Sequence, residues 1–333
     1  MLNSKGNNGE DRNLELLLRP NNFGDYIGQF SVKKSLGIII EAAQKRGEAM
    51  DHLLFYGQAG LGKTTLAYLV AKEFGVNLKV TSGPAIEKAG DLAAILTNLE
   101  PKDILFIDEA HRLNRMIEEI LYPAMESRKL NIIIGKGPAA RTISLDLPPF
   151  TLLAATTRVN MLSSPLRSRF GASFRLDYYS LEEMEEIVRR SAKILGLEIE
   201  EKAVRLLAQA SRFTPRVANR LLRRCRDYAE VSNAPRITDN EVEKALELLG
   251  IDSLGLEEHD RRLLSIIIKN FRGGPVGVAS LSASLNEEKG VIEEVYEPYL
   301  IKLGFIKRTP LGRVADASAY KHLRYEDLYF QKP

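Results

Sequence analysis

Cysteine is nearly missing from this chain: Cys225 stands alone among 333 residues. A lone cysteine excludes a disulfide framework and a cysteine-based zinc site. Long apolar runs are missing too, and none approaches the length of a membrane-spanning helix. The opening stretch, Met1 to Glu10, is polar and lacks the apolar core of a secretory signal; it reads as part of a frayed tail. One-sided charge is scarce, with a net charge of +3, so any nucleic-acid surface has to be local. Neither internal repeats nor low-complexity tracts occur. The expectation from these shortages is a cytoplasmic globular protein with no membrane partner.

Against the absences stands one strong motif. Gly57-Gln58-Ala59-Gly60-Leu61-Gly62-Lys63-Thr64 spells G-x-x-x-x-G-K-T, the phosphate-cradling P-loop. The apolar run 52–56 before it reads as a buried strand, and 65–71 after it reads as a helix. The glycines let successive backbone N–H groups turn toward a phosphate, and the helix N-terminus adds its partial positive charge. Lys63 can reach the β- and γ-phosphates, and the Thr64 hydroxyl can hold magnesium. The competing reading, a plain glycine-rich turn, does not explain the strand and helix on either side.

The length exceeds one typical core, which predicts two or three domains. From 19 to 178, apolar strands at 52–56, 78–81, 103–107 and 150–156 alternate with helices, the rhythm of a parallel sheet covered on both faces. Residues 180–249 look purely helical, with Ala203, Leu206, Leu207 and Ala210 at helical spacing. Beyond 253, helices near 257–271, 278–285 and 287–303 precede a hairpin of 305–309 and 313–315 around a Pro310-Leu311-Gly312 turn. Helices followed by a hairpin predict a winged helix. The expected plan is a tail (1–18), an α/β core (19–178), an all-α lid (179–252) and a C-terminal winged helix (253–333).

Other residues complete an ATPase pattern. Ile104 to Ile107 is an apolar strand that ends in Asp108-Glu109, a Walker B element. Asp108 would position magnesium and Glu109 would orient and deprotonate the attacking water; the alternative is an acidic pair capping the next helix. Thr157 ends the strand 150–156, where ligands bind in an open parallel sheet; otherwise its hydroxyl only satisfies a turn. Arg167 and Arg169 lie in a predicted loop, and Arg169 is the candidate cation delivered to a neighbour's transition state. Arg216 opens a basic helix that also carries Arg220, Arg223, Arg224 and Arg226; the plain reading of that helix is a solvated face.

With these residues in place, the chain resembles the RuvB family, AAA+ motors of bacterial Holliday-junction branch migration, from Leu18-Arg19-Pro20 to about Tyr320. The resemblance rests on 53–67, Thr81-Ser82-Gly83-Pro84, Gly90 to Ala93, Leu96 to Glu100, Leu121 to Glu126, Thr214 to Arg224, Gly273 to Gly277 and Glu297-Pro298-Tyr299-Leu300. It implies ATP and Mg2+ as cofactors, and a catalytic set of Lys63, Asp108, Glu109, Thr157, Arg169 and Arg216. It implies nucleotide contacts from Leu18, Arg19, Tyr26, Ile27, Gly57, Gly60, Leu61, Gly62, Lys63, Thr64 and Thr65. Further contacts are implied from Glu126, Ser127, Arg128, Arg169, Tyr179 and Arg216, with Thr64 and Asp108 on the metal. A hairpin at 129–147 is implied to dock on RuvA through Ile143 and Leu145, which alternate with Thr142 and Ser144 and so share one face. RuvC, four-way-junction DNA and a hexameric ring are the other implied partners.

The chain departs from the family pattern in three places. Gln58 and Ala59 replace two prolines, Ala110 replaces a bulkier apolar residue, and Leu311 stands where the wing usually has an arginine. Between Pro298 and Ala315 there are four basic residues, Lys302, Lys307, Arg308 and Arg313, and no acidic one. Such a local excess suits sequence-independent phosphate contact, with Lys289, Arg308 and Arg313 as the expected DNA ligands; a solvated hairpin is the alternative. Two other functions stay open on sequence: a clamp-loader-like AAA+ switch, and a DNA-binding regulator that uses ATP only as a ligand.

Overall fold

The computed structural model describes residues 16–134 and 141–329. Most of the expected tail and the tip of the 129–147 hairpin lie outside the described residues. Five short runs form one parallel sheet: β1 (Leu53–Tyr56), β2 (Leu78–Ser82), β3 (Ile104–Asp108), then β6 (Thr151–Thr156) and β7 (Ala172–Arg175). Between them a two-stranded antiparallel hairpin, β4 (Lys129–Ile134) and β5 (Arg141–Asp146), leaves the sheet. The order β2-β3-β6-β1-β7 makes β1, β6 and β3 central neighbours. Their registers pair Leu53 with Leu153 and Ile104 with Thr151. Central strands of a parallel sheet are covered on both faces, and every residue of β6 is accordingly buried. One core cluster joins Leu54, Leu105, Ile107 and Leu152 of the sheet to Leu92, Leu96, Ile117 and Leu121 of the covering helices.

The expected strands are present, each with small end shifts, and one strand is new. β7 carries Ala-Ser-Phe-Arg in an alternating half-exposed pattern. It is an edge strand without an apolar run, so nothing in its composition separates it from a loop.

The chain divides into two compact units, Met1–Glu183 and Met184–Pro333. In the second, the helices Glu201–Ala210, Pro215–Val231 and Asp239–Leu248 follow the helix Leu181–Ile194. Thr238 and Glu241 form a capping box at the start of Asp239–Leu248, which pairs two otherwise orphan backbone N–H groups. The winged helix comprises Glu258–Asn270, Val278–Leu285 and a third helix over 289–302, then the antiparallel wing β8 (Ile306–Thr309) and β9 (Gly312–Ala315), followed by the short helices Ala317–His322 and Glu326–Tyr329. Its own core includes Leu263, Ile267, Leu281, Ile292, Leu300 and Tyr320. Lid and winged helix therefore fall in the same compact unit, whereas the sequence divides them at 252/253.

Candidate functional site

The P-loop closes the carboxyl end of β1. Gly57 and Gly62 have φ of 143° and 94°, a region that favours glycine. A Cβ on Gly57 would lie 2.4 Å from the Leu176 carbonyl oxygen, and one on Gly62 would lie 2.7 Å from the Tyr26 hydroxyl. Lys63 begins the next helix and is 7% exposed. Its ammonium donates to the carbonyls of Gly57 at 2.8 Å and Gln58 at 2.7 Å, so the positive charge sits inside the loop where phosphates would meet it.

The sheet then brings distant residues to that loop. Asp108 ends β3, and its carboxylate accepts from the Thr64 hydroxyl at 2.7 Å. A hydroxyl and a carboxylate side by side fit Mg2+, which is usually held by one or two protein oxygens together with water and substrate phosphate. Among the described residues no group of three His, Cys, Asp or Glu could hold a metal. Glu109 leaves the strand at φ 50°, a conformation costly for a residue with a Cβ. Its side chain is half-exposed, with a 3.3 Å contact to Arg112. Thr157, exposed, follows the end of β6.

One link was invisible in the sequence. His111 Nδ1 lies 3.0 Å from the hydroxyl of buried Thr156, which also accepts from the Arg158 N–H at 2.9 Å. Burial first, and the Arg158 cation second, lower the His111 pKa below its ordinary value. A neutral imidazole thus connects the turn after Asp108 to the end of β6.

A second flank comes from the segment before the core and from Tyr179. The Tyr26 hydroxyl is 3.3 Å from the Leu61 carbonyl, and the Tyr179 hydroxyl is 3.2 Å from both. Burial pushes Tyr26 well above the usual phenol range and Tyr179 up to about 12, so both stay protonated at neutral pH. Leu18 is buried, Ile27 is partly buried, and the Arg19 guanidinium sits 4.7 Å above the Tyr68 ring. Leu61 is buried, and Thr65 lies in the first turn after the loop. Gly60, at φ 82°, also needs the left-handed region.

Arg169 lies elsewhere. The Gly171 N–H donates to the His52 carbonyl, which places this segment at the amino end of β1. β1 has four residues, about 13 Å at strand rise, and the P-loop is at its other end. Arg169 is held by Glu126 at 3.0 Å, by the Pro165 carbonyl at 2.6 Å and by the Tyr122 ring face at 4.5 Å. Glu126, Ser127 and Arg128 end the helix Arg115–Ser127, whose Met125 carbonyl is 3.2 Å from His52 Nε2. These four expected nucleotide residues therefore share the edge opposite the chain's own P-loop.

In the second unit, Arg216 is exposed in the first turn of Pro215–Val231. The rest of that basic helix is largely neutralised: Arg220 pairs with Glu257 and both Arg224 and Arg226 with Asp227, while Arg223 is buried.

The wing corrects the charge count. In space the basic stretch is not acid-free. Lys307 pairs with Asp316, and Arg308 and Arg313 both pair with Glu297. Arg313 also meets Glu293 at 2.7 Å and is only 13% exposed, so it faces inward instead of toward a phosphate. The carboxylates come from the third helix and from beyond the window, where a count from 298 to 315 does not reach. Lys289 is exposed, and Leu311 stands 79% exposed at the tip. In the β4–β5 hairpin, Ile143 and Leu145 are 43% and 39% exposed. Their partners across the strands are Ile132 and Leu130.

A glycine loop at one central strand and an acidic pair two strands away, joined through Thr64 and Asp108, define a P-loop ATPase; the helical lid and winged helix make it one of the AAA+ class, using ATP with Mg2+. Family models match in succession: the Holliday junction DNA helicase RuvB P-loop domain over 18–176, the RuvB AAA lid domain over 179–252 and the RuvB C-terminal winged helix domain over 253–324. The Holliday junction branch migration complex subunit RuvB of Dehalococcoides mccartyi is 57% identical over 314 residues, 94% of this chain and 90% of that protein. The solved structure of the Thermotoga maritima RuvB Holliday junction branch migration motor matches with a TM-score of 0.85 at 50% identity, covering 93% of this chain and 99% of that one. The chain belongs to the RuvB family of branch-migration motors.

Proposed function

We propose that the chain is one subunit of a hexameric ring that hydrolyses ATP at subunit interfaces and drives the duplex arms of a four-way junction. It docks on RuvA through the 129–147 hairpin, feeds the RuvC resolvase and works in the cytoplasm. The observation that carries the ring is Arg169: with Glu126, Ser127 and Arg128 it lies a strand's length from its own P-loop, so these residues serve a neighbour's nucleotide. In the chain's own site Lys63 holds the β- and γ-phosphates, with the loop N–H groups around it. Thr64 and Asp108 carry Mg2+, which when bound neutralises charge on the phosphoryl oxygens. Glu109 accepts the proton of the attacking water, Thr157 orients that water, and Arg216 reports the nucleotide to the lid. Leu18, Arg19, Tyr26, Ile27 and Tyr179 border the base.

The test is strand separation on synthetic four-way junctions with ATP, with and without RuvA. Stimulation by RuvA is the expected result. ATP hydrolysis without any junction movement would favour a clamp-loader-like switch, and junction binding without hydrolysis a DNA-binding regulator.

Changing Ile143 and Leu145 together to Asp lowers RuvA-stimulated strand separation by about tenfold or more, the scale of losing central apolar anchors. The thermal midpoint stays near wild type because both side chains already face solvent. A large drop in midpoint would instead mark the pair as core. Leu311→Arg adds a cation at the wing tip, tightens duplex binding and steepens the slope of log affinity against log salt by about 0.9. An unchanged slope would remove the tip from the DNA interface.

A further inference from the structure

The least expected group in the wing is a carboxylate. Glu297 is 0% exposed, yet it accepts from two guanidinium groups. Arg308 Nε reaches one oxygen at 2.6 Å, and Arg313 Nε reaches the other at 2.6 Å. Arg313 continues to the Glu293 carboxylate at 2.7 Å, and Arg308 continues to the Glu293 carbonyl at 3.1 Å. Two arginines and two glutamates cancel, so the cluster adds no net charge to the surface.

The local backbone explains how both glutamates reach the wing. Pro298 has no N–H to return to the preceding turn, and the helix opens into a π turn at Ile292–Tyr296 just ahead of Glu297–Lys302. Glu293 lies in that turn and Glu297 at its exit. A π turn of this kind often marks a functional position. The two arginines are not equivalent. Arg313 is nearly covered, whereas Arg308 is half-exposed. The bonds of Arg308 to Glu297 and to the Glu293 carbonyl engage its Nε and Nη2, which leaves the Nη1 side of a fixed plane for an incoming oxygen.

We propose that Glu297 is a positioning residue for DNA contact: it locks the Arg308 guanidinium in the orientation presented to a backbone phosphate and ties the wing to the third helix through Arg313. This rests on the reading that the wing touches DNA phosphates. A buried carboxylate does not compete with phosphate in solvent; it orders the donor that meets the phosphate, and a charged bidentate partner does so with little lost freedom.

Simple charge counting predicts the opposite sign for loss of Glu297. Glu297→Gln makes the full-length protein more positive by one. If Glu297 were only a nearby negative charge, duplex binding would tighten. As a positioning residue, its loss weakens binding by about tenfold or more, because a charge pair broken from one side leaves the partner unordered. Arg308→Lys keeps the charge but lacks the rigid planar fork that meets the Glu297 oxygen and the Glu293 carbonyl together; it too weakens binding, and being on an exposed strand it tests the idea even if Glu297→Gln unfolds. The measurement is fluorescence anisotropy of labelled duplexes of two unrelated sequences across a salt series, with a thermal melt of each variant. Loss of affinity in both variants, or in Arg308→Lys alone if Glu297→Gln is unfolded, supports the proposal. Tighter or unchanged binding by folded Glu297→Gln, or wild-type binding by Arg308→Lys, overturns it. Arg308→Ala separates the two levels: if it leaves affinity and slope unchanged, the wing–DNA reading itself fails. If it weakens binding while folded Glu297→Gln tightens it, only the role of Glu297 is lost.

Discussion

Replacing Arg169 with alanine lowers ATP turnover of the assembled protein by about 1,000- to 100,000-fold, the scale of an arginine supplied to a phosphoryl-transfer transition state. ATP affinity changes much less, because a finger's contact strengthens only as charge develops in the transition state. The side chain is mostly covered by Glu126, Tyr122 and the Pro165 carbonyl, so a thermal melt has to accompany the kinetics. The distinctive result comes from mixing. Arg169→Ala supplies an intact P-loop without a finger; Lys63→Ala supplies a finger without a working P-loop. Hybrid rings should regain hydrolysis at interfaces that join the two good halves. Mixtures that never exceed the activity of either parent would remove the claim that Arg169 acts on a neighbour.

Glu109→Gln is expected to keep ATP binding and lose about 100- to 10,000-fold in hydrolysis, the contribution of a positioned general base. Glutamine keeps the length of the side chain, and the φ of 50° at this position asks the same of either residue. The substitution therefore removes the charge and little else. Asp108 keeps its bond to Thr64, so metal and nucleotide affinity should survive. Single-turnover hydrolysis separated from nucleotide binding is the measurement. Turnover near wild type would return Glu109 to an exposed acid paired with Arg112.

The parts legible in the chain were local ones. The P-loop could be recognised because its eight residues are contiguous and its glycines answer to backbone geometry at single positions. β1, β3 and β6 were visible because central strands of a covered parallel sheet are apolar throughout. The lid helices announced themselves by apolar spacing, and three of its four named positions, Ala203, Leu207 and Ala210, are buried, with Leu206 partly so. β7 escaped because an edge strand is covered on fewer sides. The His111–Thr156 link escaped because a histidine in a turn carries no periodic signal.

Sequence alone determined the class of nucleotide site, the order of α/β, helical and winged-helix segments, and the family resemblance. Tertiary structure alone decided which residues meet. It set Thr64 against Asp108 through the order of strands, and it put Arg169 at the amino edge while the P-loop took the carboxyl edge. It also paired three of the four cations of an acid-free stretch by bringing in Glu293, Glu297 and Asp316. The physical reason is range. Backbone torsions and hydrophobic periods act over a few consecutive residues, so they can be read along the chain. Charge pairing falls off with distance through space, and the wing's partners are neighbours only after the third helix and the hairpin have packed.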